Sequence, residues 1–306
     1  MFNGDDAVKV YESDKNIEME EMQEIEETLG QAIESYVAWP NYFIVLNLEK
    51  IKKKKHVAPV KDLSMKDDGV KMVPSKCKAL YHIAKNLMDN NSKALMSTLE
   101  NEVFGVPRDL HIFEDDIIQL METQWLGANC IVAYMRYLYE ILIKSDLVDT
   151  FGFVDSARVV SFGVSQTKNV EKNLVERMQQ GKSDRIFLVP YNPRNHWMLT
   201  IINEEKDIVY IADSLEKQEY PEWMETVNNA IKLFNGVTGR HGKKAPQWIT
   251  LLSTPKQVGG VECGYYVMRY MKEIIEDPTI SFAQLWSKKS KRTNYSQEQI
   301  DEVRNE

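Results

Sequence analysis

A single cysteine, set between a glycine turn and an amphipathic helix, constrains this chain more than any other feature. It lies in Gln257-Val258-Gly259-Gly260-Val261-Glu262-Cys263-Gly264-Tyr265-Tyr266, and beyond it Val267, Tyr270, Met271, Ile274 and Ile275 repeat as one apolar helical stripe. A thiol in the first turn of a helix meets unpaired backbone N–H groups and the positive end of the helix dipole, and both favour thiolate over thiol. Read by itself, Cys263 is equally a small buried core residue, which is what a free cysteine usually is. The rest of the chain decides between the two.

Composition narrows the classes. The 306 residues are 43% hydrophobic and 27% charged, enough for one sizeable soluble domain with appendages. No run of 18 apolar residues occurs, so no membrane span is expected, and the N-terminus lacks the basic-then-apolar pattern of a secretory signal. Cys77, Cys130 and Cys263 are odd in number and unclustered. That argues against a disulfide framework or a zinc site and for a reducing compartment, nuclear or cytoplasmic. Residues 1–35 hold eleven acids against two lysines within a total charge of −8, so the remaining chain is close to neutral. With no basic stripe and no glycine-rich phosphate loop, neither nucleic acid nor a nucleotide is expected as a partner.

The pattern divides the chain into an acidic disordered tail (1–27), a fragment of an upstream module (28–50, with strands divided at Trp39-Pro40), a basic linker (51–75), a helical lead-in (76–106) and a denser globular part (107–306). The lysine run 52–55 reads either as a solvated linker face or as a nuclear-import signal. Helical spacing is expected around 75–88, 92–99, 113–121, 129–143, 170–180, 221–234, from 263 and from 296. Strands are expected at 158–163, 186–190, 196–202, 208–213 and 248–252, with 236–244 as a basic loop.

A turn at Asn203-Glu204-Glu205-Lys206 joins two of these strands. If it is centred between Glu204 and Glu205, His196 and Asp213 are equidistant from it and lie opposite each other, with Cβ atoms about 4.5–5.5 Å apart. A thiol nucleophile needs a base, and the base needs a third group to fix its tautomer; Cys263, His196 and Asp213 supply the three roles. Each has a plainer reading, His196 as a strand-end residue and Asp213 as a turn cap, but neither explains their opposition. His56, His82, His111 and His241 lie in a linker, a helical stretch, a proline-marked turn and a loop, and are poorer bases. Gln257, with the Cys263 backbone N–H, can donate to a developing oxyanion.

The order His196-Trp197, Asp213-Ser214, then Gln257 to Cys263-Gly264 resembles the ubiquitin-like-protein (SUMO) cysteine proteases, relatives of the adenovirus protease. The resemblance covers about residues 107–306. It implies an α+β, papain-like fold with a central mixed sheet flanked by helices and the catalytic cysteine at a helix N-terminus. It also implies no metal or cofactor, and cleavage after the Gly-Gly terminus of a SUMO-like modifier, in precursors or conjugates. Substrate binding would then fall to Trp197, Trp125 and Gly264, with the two tryptophans forming a narrow tunnel. Plain strand alternation instead buries Trp197 beside Leu199 and Ile201, unless the backbone bends at Asn195-His196.

Two departures from the family pattern stand out. Gly127-Ala128 replaces the Asn-Asp pair that follows Trp-Leu, whose aspartate helps engage the modifier, and Glu262 replaces the aspartate before the cysteine. Residues 29–48 resemble the tail of a module that precedes such proteases in plant transposon-associated proteins. A second reading is therefore a catalytically idle relic or binding module that keeps the fold. The first reading is an active enzyme, acting as a monomer with no membrane association.

Overall fold

The computed structural model describes residues 78, 80–81, 94–159, 164–181, 184–193, 195–215, 220–241, 245–279, 281–289 and 294–306. The acidic tail, the upstream fragment, the basic linker and Cys77 lie outside the described residues. Residues 78, 80 and 81 are helical, in keeping with the helix expected there.

Among the described residues that follow are seven strands and eight α-helices. Strand β1 (Ala94–Leu99), the short helix α1 (Asn101–Phe104) and β2 (Arg108–Phe113) come first, then α2 (Glu114–Glu122) and α3 (Ala128–Lys144). After β3 (Phe151–Phe153) come α4 (Val164–Gln179), β4 (Ile186–Tyr191), β5 (Met198–Asn203) and β6 (Ile208–Ala212). The chain closes with α5 (Pro221–Thr238), β7 (Gln247–Thr250), α6 (Cys263–Glu276), α7 (Phe282–Lys289) and α8 (Gln297–Asn305). The main sheet runs in the order β3-β4-β5-β6-β7, with parallel outer pairs and antiparallel inner pairs, so it is mixed.

Helices cover both faces of that sheet. Leu188, Leu199, Ile201 and Ala212 pack on the side of α3 and α6. Phe187, Val189, Met198, Ile202, Val209 and Ile211 pack on the side of α4 and α5. Every residue of β5 is therefore buried, which is why it reads as a nearly unbroken apolar run.

Three expectations are corrected. Residues 94–99, expected as helix, form β1 against β2, with Leu95, Ser97 and Leu99 inside and Met96 and Thr98 outside. Leu95 and Leu99 are four apart, a spacing that fits one helix face and one strand face alike. His111 accordingly lies on β2, not at a turn. At the expected strand 158–163, Ser156–Arg158 forms a 3-10 turn capped by Asp155, whose Oδ1 accepts from Ala157 N at 2.9 Å. Residues 160–163 lie outside the described residues. A strand the sequence did not announce lies at Phe151–Phe153, too short around Gly152 to show alternation. Third, α5 continues through Gly236 to a left-handed cap at Gly239 (φ 69°), taking the start of the expected basic loop.

Helix α6 is buried from Cys263 to Ile275, charged residues included. The apolar stripe faces the sheet and α3, while Arg269, Lys272 and Glu273 meet the C-terminal segment instead of water. Lys272 Nζ pairs with Glu302 at 2.7 Å and with Glu306, and Arg269 pairs with Glu302. Glu273 accepts from Arg269 Nε at 3.0 Å, Trp286 Nε1 at 2.7 Å and Tyr295 OH at 2.9 Å.

Glu273→Ala leaves three buried donors without their acceptor. We expect a loss of about 3–5 kcal/mol in urea unfolding, the usual cost of stripping one partner from a buried charged pair. A loss below about 1 kcal/mol, the scale of an exposed ion pair, would mean that water replaces the carboxylate.

Candidate active site

Three element ends meet at the site. Cys263 is the first residue of α6, His196 lies two residues before β5, and Asp213 follows β6 directly. All three are buried, at 2%, 6% and 4% exposure. Asn195 takes a left-handed conformation (φ 68°), the bend required for the chain to enter β5 with the imidazole turned to the cysteine.

His196 Nε2 lies 2.6 Å from Asp213 Oδ1, and the Cys263 side chain is close enough to act on the imidazole. With Nε2 engaged by the carboxylate, Nδ1 is the ring atom left for the thiol. Burial pulls the His196 pKa down, but the bonds to Asp213 and Cys263 and their charges outweigh it and raise it to about 9. For Asp213 burial acts upward; the bond to His196, the Leu215 N–H at 2.9 Å and the Tyr220 hydroxyl at 3.2 Å together bring it below the usual carboxylate value.

The contact forms by a route different from the one the sequence implied. The ladder pairs Leu199 with Ala212 and Asn203 with Ile208, two residues out of the expected register. The turn spans Glu204 to Asp207, because Asp207 takes a positive φ (48°) and donates its N–H to Glu204 O, while Asn203 Oδ1 accepts from Lys206 N. An even shift leaves each side chain on its own face. His196 and Asp213 meet beyond the end of the ladder, where both strands have left regular pairing.

Gln257 lies beside them. Its backbone N–H donates to Ser214 O at 3.2 Å, its Oε1 accepts from Ser214 Oγ at 2.5 Å and its Nε2 donates to Gly259 O at 2.8 Å. Glu262 turns back to accept from Gly259 N at 2.7 Å. Tyr266 and Tyr270 of α6 donate their hydroxyls to the carbonyls of Lys256 and Pro255, fixing the segment that leads to Gln257.

The two tryptophans differ. Trp197 is 3% exposed and shares the core with Leu199, Ile201 and Cys263, and its Nε1 donates to Leu126 O at 2.8 Å. Bend and burial are thus both present at this position. Trp125 is half exposed, and its Nε1 donates to Gly260 O at 2.7 Å, bridging to the turn before Cys263. Gly264 permits a close approach: a Cβ there would stand 3.0 Å from Leu126 Cβ. Sequence reasoning missed Tyr220, Lys256 and Ser214. Lys256 Nζ donates to Asp213 O at 2.9 Å, and only the fold brings these groups together.

A thiol beside an imidazole whose far nitrogen is held by a carboxylate can lose its proton to that ring and attack an electrophilic carbonyl. Among the described residues no group of three or more His, Cys, Asp or Glu side chains is gathered to hold a metal ion.

Residues 124–305 match the model of the Ulp1 protease family, C-terminal catalytic domain. The chain is 25% identical over 218 residues to sentrin-specific protease 2 of Pongo abelii and 25% identical over 219 residues to that of Homo sapiens. Each alignment covers 67% of this chain but 35% of the relative, so the chain spans about a third of the length of the curated relatives it matches. Among solved structures, a de-sumoylating protease superposes with TM-score 0.51 at 15% identity, covering 69% of this chain and 84% of that one. The SUMO protease Ulp1 with its catalytic cysteine oxidised to a sulfenic acid superposes with TM-score 0.50 at 15% identity, covering 76% and 92%. At such identities the likeness to these structures is one of fold: α+β, with helices around a mixed sheet.

Two measurements test the electrostatics. Because the folded pKa of His196 (about 9) lies above its ordinary 6.5, its charged form adds stability below about pH 6.5 that is lost as pH rises through about 9. The gap in melting temperature between wild type and His196→Ala should therefore be wider at pH 6 than at pH 9.5; a gap that widens with pH contradicts the assignment. Brief alkylation at neutral pH should mark Cys263 ahead of Cys130, whose thiol is pushed well up by burial and by the Asp116 charge. Preferential labelling of Cys130 would count against Cys263 as the activated thiol.

Proposed function

Because this chain belongs to the Ulp1 protease family, we propose that it is a cysteine peptidase or isopeptidase that cleaves after the Gly-Gly terminus of a SUMO-like modifier. The observation that carries the reading is His196 held by Asp213 at 2.6 Å while the Cys263 side chain, at the start of a helix, acts on the same imidazole. The relatives' names, sentrin-specific and de-sumoylating, support the modifier class.

In this reading His196 Nδ1 takes the Cys263 proton, and the thiolate attacks the carbonyl of the terminal glycine. The oxyanion accepts from the Cys263 backbone N–H and from the Gln257 Nε2 hydrogen that Gly259 O does not use. The imidazolium, steadied by Asp213, gives its proton to the departing amine, which is a peptide nitrogen in a precursor or a lysine Nζ in a conjugate. A thioester remains on Cys263. Water, deprotonated by His196, releases the modifier carboxylate and restores the thiol. No metal or cofactor takes part.

Around the mouth, half-exposed Trp125 and exposed Val258 offer apolar walls, and Trp197 and Leu126 close the floor. In this reading a tail threads between Trp125 and this floor, and glycine is selected by exclusion of side chains.

The test is a SUMO-type modifier carrying a thiol-reactive group at its C-terminus. We expect a covalent adduct at Cys263 in the wild-type chain, none with Cys263→Ser, and suppression when either terminal glycine becomes alanine. No adduct with any ubiquitin-like modifier, in a folded chain whose Cys263 still alkylates, would sink the reading and favour the idle relic. Equal reaction of Gly-Gly and Ala-Ala probes would remove the tunnel alone. Asp213→Asn should reduce turnover by about 10⁴ through the wrong imidazole tautomer; a mild effect would assign that role to another group.

A further inference from the structure

We infer that Ser214 is a positioning residue, fixing the side-chain amide of Gln257 so that one N–H stays free to meet the oxyanion. The inference rests on the peptidase reading above and adds to it the group that aims the donor.

A glutamine amide has two unlike ends on a broad terminal torsion, so its orientation is set by neighbours. Here the neighbours are decisive. Gly259 O can only accept, so the end that faces it at 2.8 Å must be Nε2. That leaves Oε1 toward Ser214 Oγ at 2.5 Å, and the serine must be the donor. Ser214 is 2% exposed, and its own carbonyl accepts from Gln257 N, so its hydroxyl has one fixed place relative to the Gln257 backbone. Two contacts use Oε1 and one of the two Nε2 hydrogens; the second N–H has no partner within the chain among the bonds described. Ser214 directly follows Asp213, which holds His196. The same short segment after β6 thus orients both the base and the oxyanion donor, and the two are set in register by one peptide bond.

Without the hydroxyl, Oε1 loses its donor and the amide can rotate. Cys263, His196 and Asp213 keep their contacts, because none of their bonds passes through Ser214 Oγ. The defect should therefore appear in the chemical step alone.

The experiment is a double-mutant cycle on hydrolysis of a Gly-Gly modifier fusion, read as kcat and KM separately. Ser214→Ala should lower kcat about 10-fold or more, short of the roughly 10²–10³ lost on removing an oxyanion donor, with KM and the Cys263 alkylation rate unchanged. In a Gln257→Ala background the same substitution should do nothing, because its effect passes through the amide. Ser214→Thr, which keeps the donor, should restore most of kcat. An equal loss in both backgrounds, or no loss in either, overturns the inference. If Ser214→Ala fails to fold, Ser214→Cys, a poorer donor of similar size, takes its place. A second arm needs no turnover: side-chain ¹⁵N relaxation should show the Gln257 amide ordered in wild type and mobile in Ser214→Ala. Equal order in both overturns the inference even if the chain proves idle, so failure of the peptidase reading and failure of this one are told apart.

Discussion

The candidate active site is referred to helix α6, and α6 holds its place because its charged side is neutralised by other side chains instead of being hydrated. Burying Arg269, Lys272 and Glu273 costs several kcal/mol per ion unless partners replace the lost water. Glu302 and Glu306 do so for the two cations, and Arg269, Trp286 and Tyr295 do so for the carboxylate. With that side closed by α7 and α8, the apolar stripe can press on the sheet along its whole length. The helix N-terminus is then fixed against β5, and the candidate base His196 lies two residues before that strand.

The walls of the site hang from the same helix. Tyr266 and Tyr270 hold the carbonyls before Gln257, and Tyr265 OH donates to Gln119 O at 2.9 Å. Arg304 of α8 donates to the carbonyls of Leu120 and Met121, the last turn of α2, from which the chain passes to Trp125. Each such bond contributes about 0.5–1.5 kcal/mol, and about 1.5–3 kcal/mol where the donor is the Arg304 guanidinium. Their importance is geometric, since an oxyanion donor or a substrate wall displaced by 1 Å loses much of its effect. A helix that is buried whole can serve as a common reference for parts that come from far apart in sequence.

What was legible in the sequence follows from range. Cys263 at a helix start, and His196 and Asp213 near strand ends, could be read because glycine turn, apolar stripe and alternating runs are local signals. The register could not be, because one aspartate at positive φ lengthened the turn. The pairing it implied was nonetheless real, since an even slip preserves faces and the contact forms past the ladder. Ser214, Tyr220 and Lys256 carry no local mark of their roles; each meets the triad or Gln257 only when β6, α5 and the segment after β7 converge. The two-stranded sheet was missed for the opposite reason, a spacing that satisfies helix and strand equally.

The departure at Gly127-Ala128 has a steric side. A Cβ at Gly127 would come within 2.9 Å of Asp116 Oδ1, and its N–H already donates to Gln119 Oε1 at 2.7 Å. Asp116, almost fully buried, accepts from Phe113 N and Asn129 Nδ2. The loop that carries Trp125 and Leu126 is therefore seated through the Gly127 N–H on the Gln119 amide, close to the Asp116 carboxylate, and a side chain at 127 would crowd that carboxylate. The carboxylate under this loop is spent on the protein's own donors, and Ala128 presents none to a partner. Under the proposed function, recognition at this edge rests on Trp125 and the exposed Val258, contacts that depend on apolar area and only slightly on salt. In that same proposal, the exchange of one charged contact for apolar ones changes how a modifier is held and not how it is cut.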